Sequence, residues 1–578
     1  PLKASHYTFG SEVWATHITK NKYEISYRAY RVCGATITPP SSVFVVAYGG
    51  KSAACGTVSL TASLVSSKAV DPKCSTSVDC NKSYLFKEHL YKCTADLDSS
   101  IFKTILSGST CKNITFAVYG YLYPTVLPCY NWDAYSATTI YLENLANCTK
   151  TTNTPPARMF EPIRVLHIDR TAIFNQGLSD TAERDVLRYE LSQSNLSLPY
   201  NNKTCVNTPT KDLSHPFTPT CAGTTLCSSN TKTNPVRGTY FDTSDGVFIF
   251  TPSVDGEFGV ACVKVKEYRI NKNGKYTLIA EHQREVAAYV VDTKGDNEPP
   301  KALLTQKSVI KVCVGNTIKQ KFVDFDDVVA PFQSISDSLQ VIVPPTYRGA
   351  SIKVYSSAKN KRSLEFNWTP TLADTFAEGY VFPIKVVDLH CSEPLSTTYN
   401  LIVKVYPQPT GTPQVAYKGC NKLTLNVKNF GGGSAPKVSW QILNSSGNTV
   451  GTSNRVSDSL LLDGTGTYKV LALFSNEGGC LKPWDTTINI VDTVTSHGHY
   501  QPCTLECMHN LHLMPRRSAV EDGHRQLRPS CCTARSSGCV FLLRRNQRCN
   551  LLCRTRWRSH HGRYQINHQS INRLRWLF

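Results

Sequence analysis

The chain has 578 residues, of which 41% are hydrophobic, and it carries a formal net charge of +20. Residues 496–578 contribute +11 of that charge, from 14 Arg and three acids with no Lys, so the rest of the chain is only mildly basic. Its lysines are dispersed, which argues against a nucleic-acid-binding body, because binding a polyanion needs clustered positive charge. No apolar run approaches the roughly 18 residues that a membrane-spanning helix needs.

Short β-branched and aromatic runs recur along residues 1–495, bounded by Gly, Pro, Asn and Ser, which predicts an all-β protein. Alternation such as V-A-C-V-K-V-K is typical of strands with one buried and one wet face, and sandwiches close many such strands. In chain order, the clearest predicted strands are YEISYRAYRV, SSVFVVAY, TVSLTASLV, NITFAVYGYLY, DGVFIFTP, GVACVKVKEYRI, LQVIVP, VFPIKVVD, NLIVKVY, KLTLNV, KVSWQI and GTYKVLALF.

One segment of the chain has the pattern of a helix instead of a strand. Residues 180–193, DTAERDVLRYELSQ, begin with acids, which the helix macrodipole favours at a helix start. We therefore expect one short helix in the second domain.

Proline-rich joints divide the chain into domains. They are TTNTPPARMFEP at 151–162, DTKGDNEPPK at 292–301 and VYPQPTGTP at 405–413, and the composition changes again near residue 495. We expect tandem β-sandwich domains in the following order: a Cys-rich β domain at 1–160, a second β domain with one short helix at 161–298, a β-sandwich at 299–407, another at 408–495, and a tail at 496–578.

Cysteine usage indicates the compartment. Residues 1–495 contain 16 cysteines, and the four expected domains hold eight, four, two and two of them. Even numbers in every domain predict disulfides closed within domains, and hence an oxidising compartment. In the last two domains the expected pairs are Cys313 with Cys391 and Cys420 with Cys480, each stabilising by about 4 kcal/mol in the chain-entropy model. Buried free thiols are the alternative.

Residues 361–407 carry the most specific pattern of the chain, F-x-W-T-P-T followed by Y-x-F-x-I-x-V-x-D, a Cys and a closing strand. This pattern resembles the cadherin-like modules of secreted Bacteroidetes surface proteins, a class associated with gliding motility. SHYTFGSEVWA with YEISYRAYRVC, and residues 248–292, resemble other parts of the same class, and 408–492 are similar to a PKD or Ig-like module. We expect Trp368 to be buried against the opposite sheet and Pro370 to end its strand.

The resemblance implies a function. Members of this class are secreted by the type IX system, act as cell-surface or adhesin-like proteins and end in a sorting domain, which is not recognisable in this chain. Few of them are enzymes. We therefore expect an extracellular, non-enzymatic cell-surface protein that presents binding loops to a protein or glycan, in attachment or gliding motility. It is expected to have no transmembrane span and no nucleic-acid partner.

The resemblance also implies calcium ligands, since cadherin-like modules bind calcium at their joints through Asp, Asn and Glu oxygens. DTKGDNEPP loosely matches a cadherin linker, and DFDD and VVDLHC add further acids. Acidic turns on a solvated surface are the alternative, because Asp and Asn also cap turns. No cofactor is expected to be required, and calcium is the one candidate, with these ligands: Asp292, Asp296, Asn297, Glu298, Asp324, Asp326, Asp327 and Asp388.

The tail at 496–578 allows three interpretations. HGHYQPCTLECMHNLH offers His and Cys ligands, but their spacing fits a zinc site poorly. The arginines, with Trp557 and Trp576, suit a nucleic-acid-binding arm, although a disulfide-rich extracellular body argues against one. The lack of Lys and the end of strand periodicity near residue 495 favour a frame-shifted or chimeric translation, which we expect to be disordered.

Catalytic motifs are scarce, because the sequence contains no G-x-S-x-G, H-E-x-x-H or Gly-rich phosphate loop. We expect His167 to be a strand residue, and Glu267 and Arg269 to form cross-strand pairs. The alternative function is a secreted carbohydrate-active enzyme with Ig-like spacers, which needs two carboxylates about 5–10 Å apart in a cleft of the first two domains. A basic zinc- or nucleic-acid-binding tail protein is the second alternative.

Overall fold

Strands dominate the protein, which confirms the predicted all-β class. The computed structural model describes residues 8–32, 38–50, 55–70, 86–119, 135–180, 183–192, 216–221, 227–292, 297–302, 307–326, 338–389, 394–418 and 422–491. The helices in these ranges are short, and none of them has the length and apolar character needed to cross a membrane. The tail at 496–578, with its zinc and nucleic-acid alternatives, lies outside the described residues.

Residues 8–292 form the N-terminal region. Its elements are β1 Thr8–Thr19, β2 Lys22–Val32, β3 Ser42–Gly49, β4 Thr57–Ala69, β5 Phe86–Asp96, α1 Ser100–Ile105, β6 Ile114–Tyr119, β7 Tyr135–Ile140, α2 Leu142–Ala146, β8 Ala157–Arg158, β9 Ile163–His167, β10 Ala172–Phe174, β11 Leu178–Ser179, β12 Val186–Leu191, β13 Thr239–Phe241, β14 Phe248–Phe250, β15 Phe258–Ile270 and β16 Tyr276–Val291.

The remaining elements belong to two modules. The third module holds β17 Lys301–Ala302, β18 Lys307–Cys313, β19 Ile318–Asp326, β20 Leu339–Ile342, β21 Ser351–Ala358, β22 Lys361–Trp368, a 3-10 helix at Leu372–Asp374, β23 Phe376–Asp388 and β24 Ser396–Tyr406. The fourth module holds β25 Thr410–Tyr417, β26 Lys422–Gly431, β27 Lys437–Leu443, β28 Thr449–Ser453, β29 Ser457–Leu461, β30 Gly466–Ser475 and β31 Leu481–Ile490.

Eight antiparallel strands of the N-terminal region form a closed ring. Their order is β1-β2-β5-β4-β3-β6-β7-β16, and β16 pairs back to β1 where Arg284 lies opposite Glu12. Strands β15 and β12 extend the sheet beyond β16, and β9 runs parallel to β16. Apolar side chains such as Val13, Ile25 and Phe116 fill one core of this sheet. Strands from both sides of the boundary predicted at residue 160 therefore share one hydrogen-bonded sheet.

The helix predicted at 180–193 is wrong. Val186–Leu191 form β12, which pairs antiparallel with β15, so that Val186 lies opposite Tyr268. Tyr189 is buried, whereas Arg188 and Glu190 on either side of it are exposed, which is the two-residue period of a strand. Pairing with a long buried neighbour outweighs the local helix preference of an acid-rich segment.

The third module is a β-sandwich made of two four-stranded sheets, β17-β19-β22-β21 and β18-β24-β23-β20. At the end of β22, Trp368 is 1% exposed and meets Tyr380 of the opposite sheet edge-on, with ring centroids 5.3 Å apart. The strand ends two residues before Pro370. These observations confirm the sequence prediction for both residues.

The fourth module packs a three-stranded sheet, β25-β26-β29, against a four-stranded sheet, β28-β27-β30-β31. Its core centres on Trp440, which is fully buried among residues of both sheets such as Leu425 and Phe474. The indole nitrogen of Trp440 donates to the carbonyl of Arg455 at 3.0 Å, so the buried polar atom is satisfied. Together with the third module, it confirms the predicted run of tandem β-sandwiches.

Disulfides join Cys55 to Cys111, Cys221 to Cys227, and Cys313 to Cys480. The last bond corrects the predicted pairs Cys313–Cys391 and Cys420–Cys480, since it joins the third module to the fourth. The two cysteines pair because they lie close together where the third and fourth modules meet. Cys313 ends β18, Cys480 directly precedes β31, and Tyr406 packs against both. Cys391 and Cys420 lie outside the described residues. Not every thiol is paired, since these cysteines are free: Cys93, Cys148 and Cys262.

Candidate functional site

Hydrogen bonds and an ion pair join the N-terminal region to the third module. The side chain of Ser179, in β11, donates to the carbonyl of Val381 in β23 at 2.7 Å. The Asn175 amide donates to Asn400 Oδ1, also at 2.7 Å. Arg188 of β12 donates to the Glu378 carboxylate of β23 at 3.0 Å. The two parts of the protein therefore meet through specific polar contacts.

Beside these contacts lies a cavity of about 340 Å³, named here the joint cavity. Strand β12 and the carboxylates before it form one wall, and strands β18, β23 and β24 of the third module form the other. The wall on the module side mixes apolar and charged groups of both signs: Val309, Lys311, Phe376, Glu378, Gly379, Val381, Ile402, Lys404 and Tyr406. The joint cavity is a recess with both apolar and charged walls.

Three carboxylates meet at the edge of the joint cavity and are named here the acid cluster: Asp180, Asp185 and Glu267. One oxygen from each lies within 4.8 Å of the others. Asp180 follows β11 and Asp185 precedes β12, so the chain between the two strands brings both to one place. Glu267 comes from β15, the partner strand of β12. Asp180 and Asp185 also line the cavity.

Arg269 balances part of this charge. Because Val186 lies opposite Tyr268, Asp185 falls beside Arg269 on the neighbouring strand. The guanidinium donates to both oxygens of Asp185, at 2.7 and 2.5 Å, and also to the Glu183 carboxylate. Lys150 pairs with Glu183 from the other side. The prediction that Arg269 forms a cross-strand pair is confirmed.

Glu267 is buried and holds a chain of polar side chains behind the acid cluster. It bonds the imidazole of His282 on β16 and accepts from the Asn153 amide at 2.8 Å. The other imidazole nitrogen of His282 lies 2.6 Å from the Thr138 hydroxyl. The ring of Trp14 packs over this imidazole with centroids 4.4 Å apart. The cross-strand role predicted for Glu267 is confirmed, with His282 as its partner.

The hydrogen-bonded side chains of Thr138, His282 and Glu267 follow the hydroxyl, imidazole and carboxylate order of a hydrolase triad. Thr138, His282 and Glu267 are, however, only 0%, 1% and 0% exposed, so no substrate reaches the hydroxyl. Burial lowers the pKa of His282 to about 3, which keeps the imidazole neutral. These three side chains therefore form a buried structural network.

Burial controls the acidity of the acid cluster. It raises the pKa of Asp180 well above the ordinary value, and the neighbouring charges of Glu267 and Asp185 raise it further. Burial and the charge of Asp185 likewise raise the pKa of Glu267 well above its usual range. For Asp185, burial raises the pKa, and the Arg269 guanidinium opposes this rise. The site therefore disfavours three negative charges unless a cation compensates them.

The acid cluster was missed by sequence reasoning. Asp180 and Asp185 fell inside the segment predicted as a helix, where their side chains have no fixed relation to Glu267. One sequence feature could have pointed to this cluster. Glu267 and Arg269 are two residues apart on a predicted strand, and residues i and i+2 share one face of a strand. His167 ends β9, which confirms its prediction as a strand residue.

The residues predicted to bind calcium near the linker have other partners in the structure. Asn297 is buried and its amide donates to Asp388 Oδ1 at 3.4 Å. Glu298 instead binds the Arg170 guanidinium through both oxygens. The backbone N–H of exposed Asp292 donates to Asp255. Asp296 lies outside the described residues.

The second group of predicted calcium ligands lies on or near β19. Asp324 and Asp326 are on this strand, and Asp326 pairs with Lys361 of β22 at 3.1 Å. Asp327 lies outside the described residues. Asp388 also accepts from the backbone N–H of Leu395 at 2.9 Å. Calcium at these residues stays a prediction.

Comparisons with known proteins give only distant likenesses. No family model matches the chain, and no curated protein matches it. A crystal structure of titin domains is 10% identical, with 58% of this chain and 97% of that chain covered and a TM-score of 0.24. Extracellular domains of Drosophila OTK are also 10% identical, with 58% and 95% covered and a TM-score of 0.21.

A third solved structure is the protocadherin GammaB4 extracellular domain. It is 11% identical, with 74% of this chain and 61% of that chain covered and a TM-score of 0.19. Scores this low carry no argument about this protein. The fold is therefore taken from the strands and cores described above, and the function is argued from the chain itself.

Proposed function

We propose that this chain is an extracellular binding protein without enzymatic activity, which holds binding surfaces on a stiff run of β-sandwich modules. The observation that carries the proposal is the bond between Cys313 and Cys480, because it fastens the third module to the fourth. Modules that hold a binding surface at a distance need rigid junctions between one module and the next. A covalent bond across a joint supplies one.

Contacts around the disulfide support a fixed joint. Tyr406 packs against both sulfur-bearing residues in one buried cluster. Asn476 of the fourth module donates to the carbonyl of Pro407 at 2.8 Å, and Gln408 donates to the carbonyl of Val314 at 2.9 Å. Lys311 reaches across to the carbonyl of Glu477 at 3.2 Å. These bonds limit bending between the two modules.

The disulfides also support an extracellular location. Structural disulfides persist in oxidising compartments and are rare in the cytosol. The described residues contain three of them, in the N-terminal region and across the joint between the modules. Secretion by the type IX system, attachment and gliding motility are supported by the sequence resemblance alone.

An edge strand is the surface best suited to bind a protein. In the order β17-β19-β22-β21, strand β21 occupies the edge of its sheet. Its side chains are mostly exposed, and they include Val354 at 41% and Tyr355 at 44%. An extended segment of a partner adds to such an edge through backbone hydrogen bonds. A protein ligand at β21 is part of the proposal, and a glycan is the alternative ligand.

A carbohydrate-active enzyme is the second candidate function, because the acid cluster places carboxylates near a cavity. Oxygens of Asp180 and Glu267 lie within 4.8 Å of each other, close to the roughly 5 Å of retaining glycosidases. Against this candidate, Glu267 is fully buried, and His282 and Asn153 occupy its oxygens. A nucleophile in that position does not reach a sugar.

One experiment separates the two candidates. The full chain is incubated with an array of polysaccharides and with immobilised surface proteins, and both the bound chain and the released reducing sugar are measured. We expect saturable binding without sugar release. Sugar release by the natural chain that disappears in Asp180→Asn, with the exposed Asp463→Asn variant unchanged, would contradict the proposal.

A further inference from the structure

We propose that the acid cluster of Asp180, Asp185 and Glu267 binds one divalent cation. Glu267 lies on β15, Asp180 directly follows β11 and Asp185 directly precedes β12, and an oxygen from each carboxylate lies within 4.8 Å of the others. Oxygens at this separation fit around a single ion, since calcium–oxygen bonds measure about 2.3–2.6 Å. None of these three residues is among the calcium ligands that the sequence pattern predicted.

An unsatisfied oxygen points to a missing ligand. Asp180 Oδ1 accepts the backbone N–H of Glu183 at 3.2 Å. Its second oxygen, Oδ2, is shielded from solvent and has no hydrogen-bond partner, although Asp180 itself reaches the wall of the joint cavity. A buried carboxylate oxygen without a partner is costly, because it has lost its water and gained nothing in exchange. A cation between the carboxylates supplies that partner.

The charges around the site also leave room for an ion. Four carboxylates belong to the group, namely those of the acid cluster and of Glu183, while Arg269 and Lys150 are the cations that contact them. When all four carboxylates are ionised, two of their negative charges have no cation among the described contacts. One divalent ion balances them.

The donor atoms favour calcium over other metals. All three side chains offer carboxylate oxygen, which suits hard cations, whereas zinc prefers Cys and His ligands in a closed tetrahedron. Calcium also accepts irregular geometry and waters as ligands, and the joint cavity beside Asp180 and Asp185 has room for waters. The ion would tie the end of β11 and the start of β12 to β15. This role is independent of what the protein binds elsewhere.

The first test is direct. Calcium is titrated into the full chain by calorimetry, after chelation and dialysis, with the natural chain, Asp180→Asn and the matched variant Asp463→Asn, an exposed acid of the fourth module. We expect one ion per chain for the natural chain and Asp463→Asn, and an affinity at least roughly tenfold weaker for Asp180→Asn. Absence of binding to the natural chain, or unchanged binding by Asp180→Asn, would overturn the proposal.

A second test keeps all the ligands intact. Terbium, which replaces calcium, luminesces when a nearby indole is excited, and Trp14 packs on His282, the partner of Glu267. We expect bound terbium to be sensitised in the natural chain and in Trp440→Phe, and not in Trp14→Phe, with competition by calcium. Equal sensitisation in Trp14→Phe would place the ion elsewhere. Circular dichroism of each variant confirms that it is folded.

Discussion

At the scale of single residues, the N-terminal region depends on charges that are buried in pairs. Glu12 and Arg284 are both 0% exposed, and Arg284 Nε donates to Glu12 Oε2 at 2.8 Å. Burial by itself would raise the pKa of Glu12, but the charges of Arg284, Arg158 and Arg28 outweigh it and lower the pKa to about 2. This pair closes the ring of strands between β1 and β16.

Removing the charge of Glu12 is expected to destabilise this ring. In Glu12→Gln the guanidinium of Arg284 stays buried without a counter-charge, which costs about 3–5 kcal/mol of unfolding free energy. The matched control is Glu24→Gln, which breaks the half-exposed Glu24–Lys92 pair and should cost about 0–1 kcal/mol. Urea denaturation, followed by hydrogen exchange in β1 and β16, measures both. Equal effects of the two substitutions would contradict the assigned role of Glu12.

The same residue predicts a dependence on pH. The folded-state pKa of Glu12, about 2, lies below the ordinary value of 4.5, so the unfolded chain takes up this proton first as the pH falls. The stabilisation is complete above about pH 4.5 and is lost as the pH falls through 2. We expect the difference in unfolding free energy between the natural chain and Glu12→Gln to shrink over that window. A difference that stays constant from pH 6 to about pH 2 would contradict the lowered folded-state pKa of Glu12.

At the scale of elements, the sequence predicted strands well where one face of the strand is buried. Strands such as β22 and β27 alternate apolar and polar residues, and the period of two is set by the strand itself. The segment that became β12 was mispredicted because its partner β15 decides its conformation, and strand pairing is not visible in a single segment. The acid cluster was not predicted for the same reason, since it forms only when β12 and β15 pair.

The buried tryptophan of β22 gives a prediction at this scale. Trp368 packs against Tyr380 of the opposite sheet, so Trp368→Ala should destabilise the third module by about 3–5 kcal/mol. Tyr355→Ala on the neighbouring strand β21 is the control, because that side chain is 44% exposed and its loss should change stability by less than about 0.5 kcal/mol. Hydrogen exchange of the third module reads out both changes. A loss of protection in Tyr355→Ala as large as in Trp368→Ala would refute the argument.

At the scale of the whole molecule, the disulfide between Cys313 and Cys480 links parts of the chain that are 167 residues apart in sequence. Cysteine counting predicted pairs within modules, because even numbers in each segment fit closed domains. The pairing depends on how the third and fourth modules meet, and that joint is formed by contacts between residues distant in sequence, such as Asn476 and Pro407. Counting cysteines cannot supply such contacts.

Opening this bond should loosen the joint between the modules. In the double variant Cys313→Ser with Cys480→Ser, the chain-entropy model predicts a loss of about 5 kcal/mol for a loop of this length. We expect faster hydrogen exchange around Tyr406 and Asn476, and unchanged exchange in the ring of the N-terminal region. The control is Cys93→Ser, which removes a free thiol. Faster exchange spread evenly over the whole chain would contradict a local joint.

A stiff binding protein, as proposed here, depends most on the disulfide bond between the third and fourth modules. The most direct test is peptide mass spectrometry of the natively produced chain, digested without reduction. We predict a cross-linked peptide pair that contains Cys313 and Cys480, and that separates on reduction. Peptide pairs that join Cys313 to Cys391 and Cys420 to Cys480 would contradict the account, since each module would then be closed by itself and the joint left free to bend.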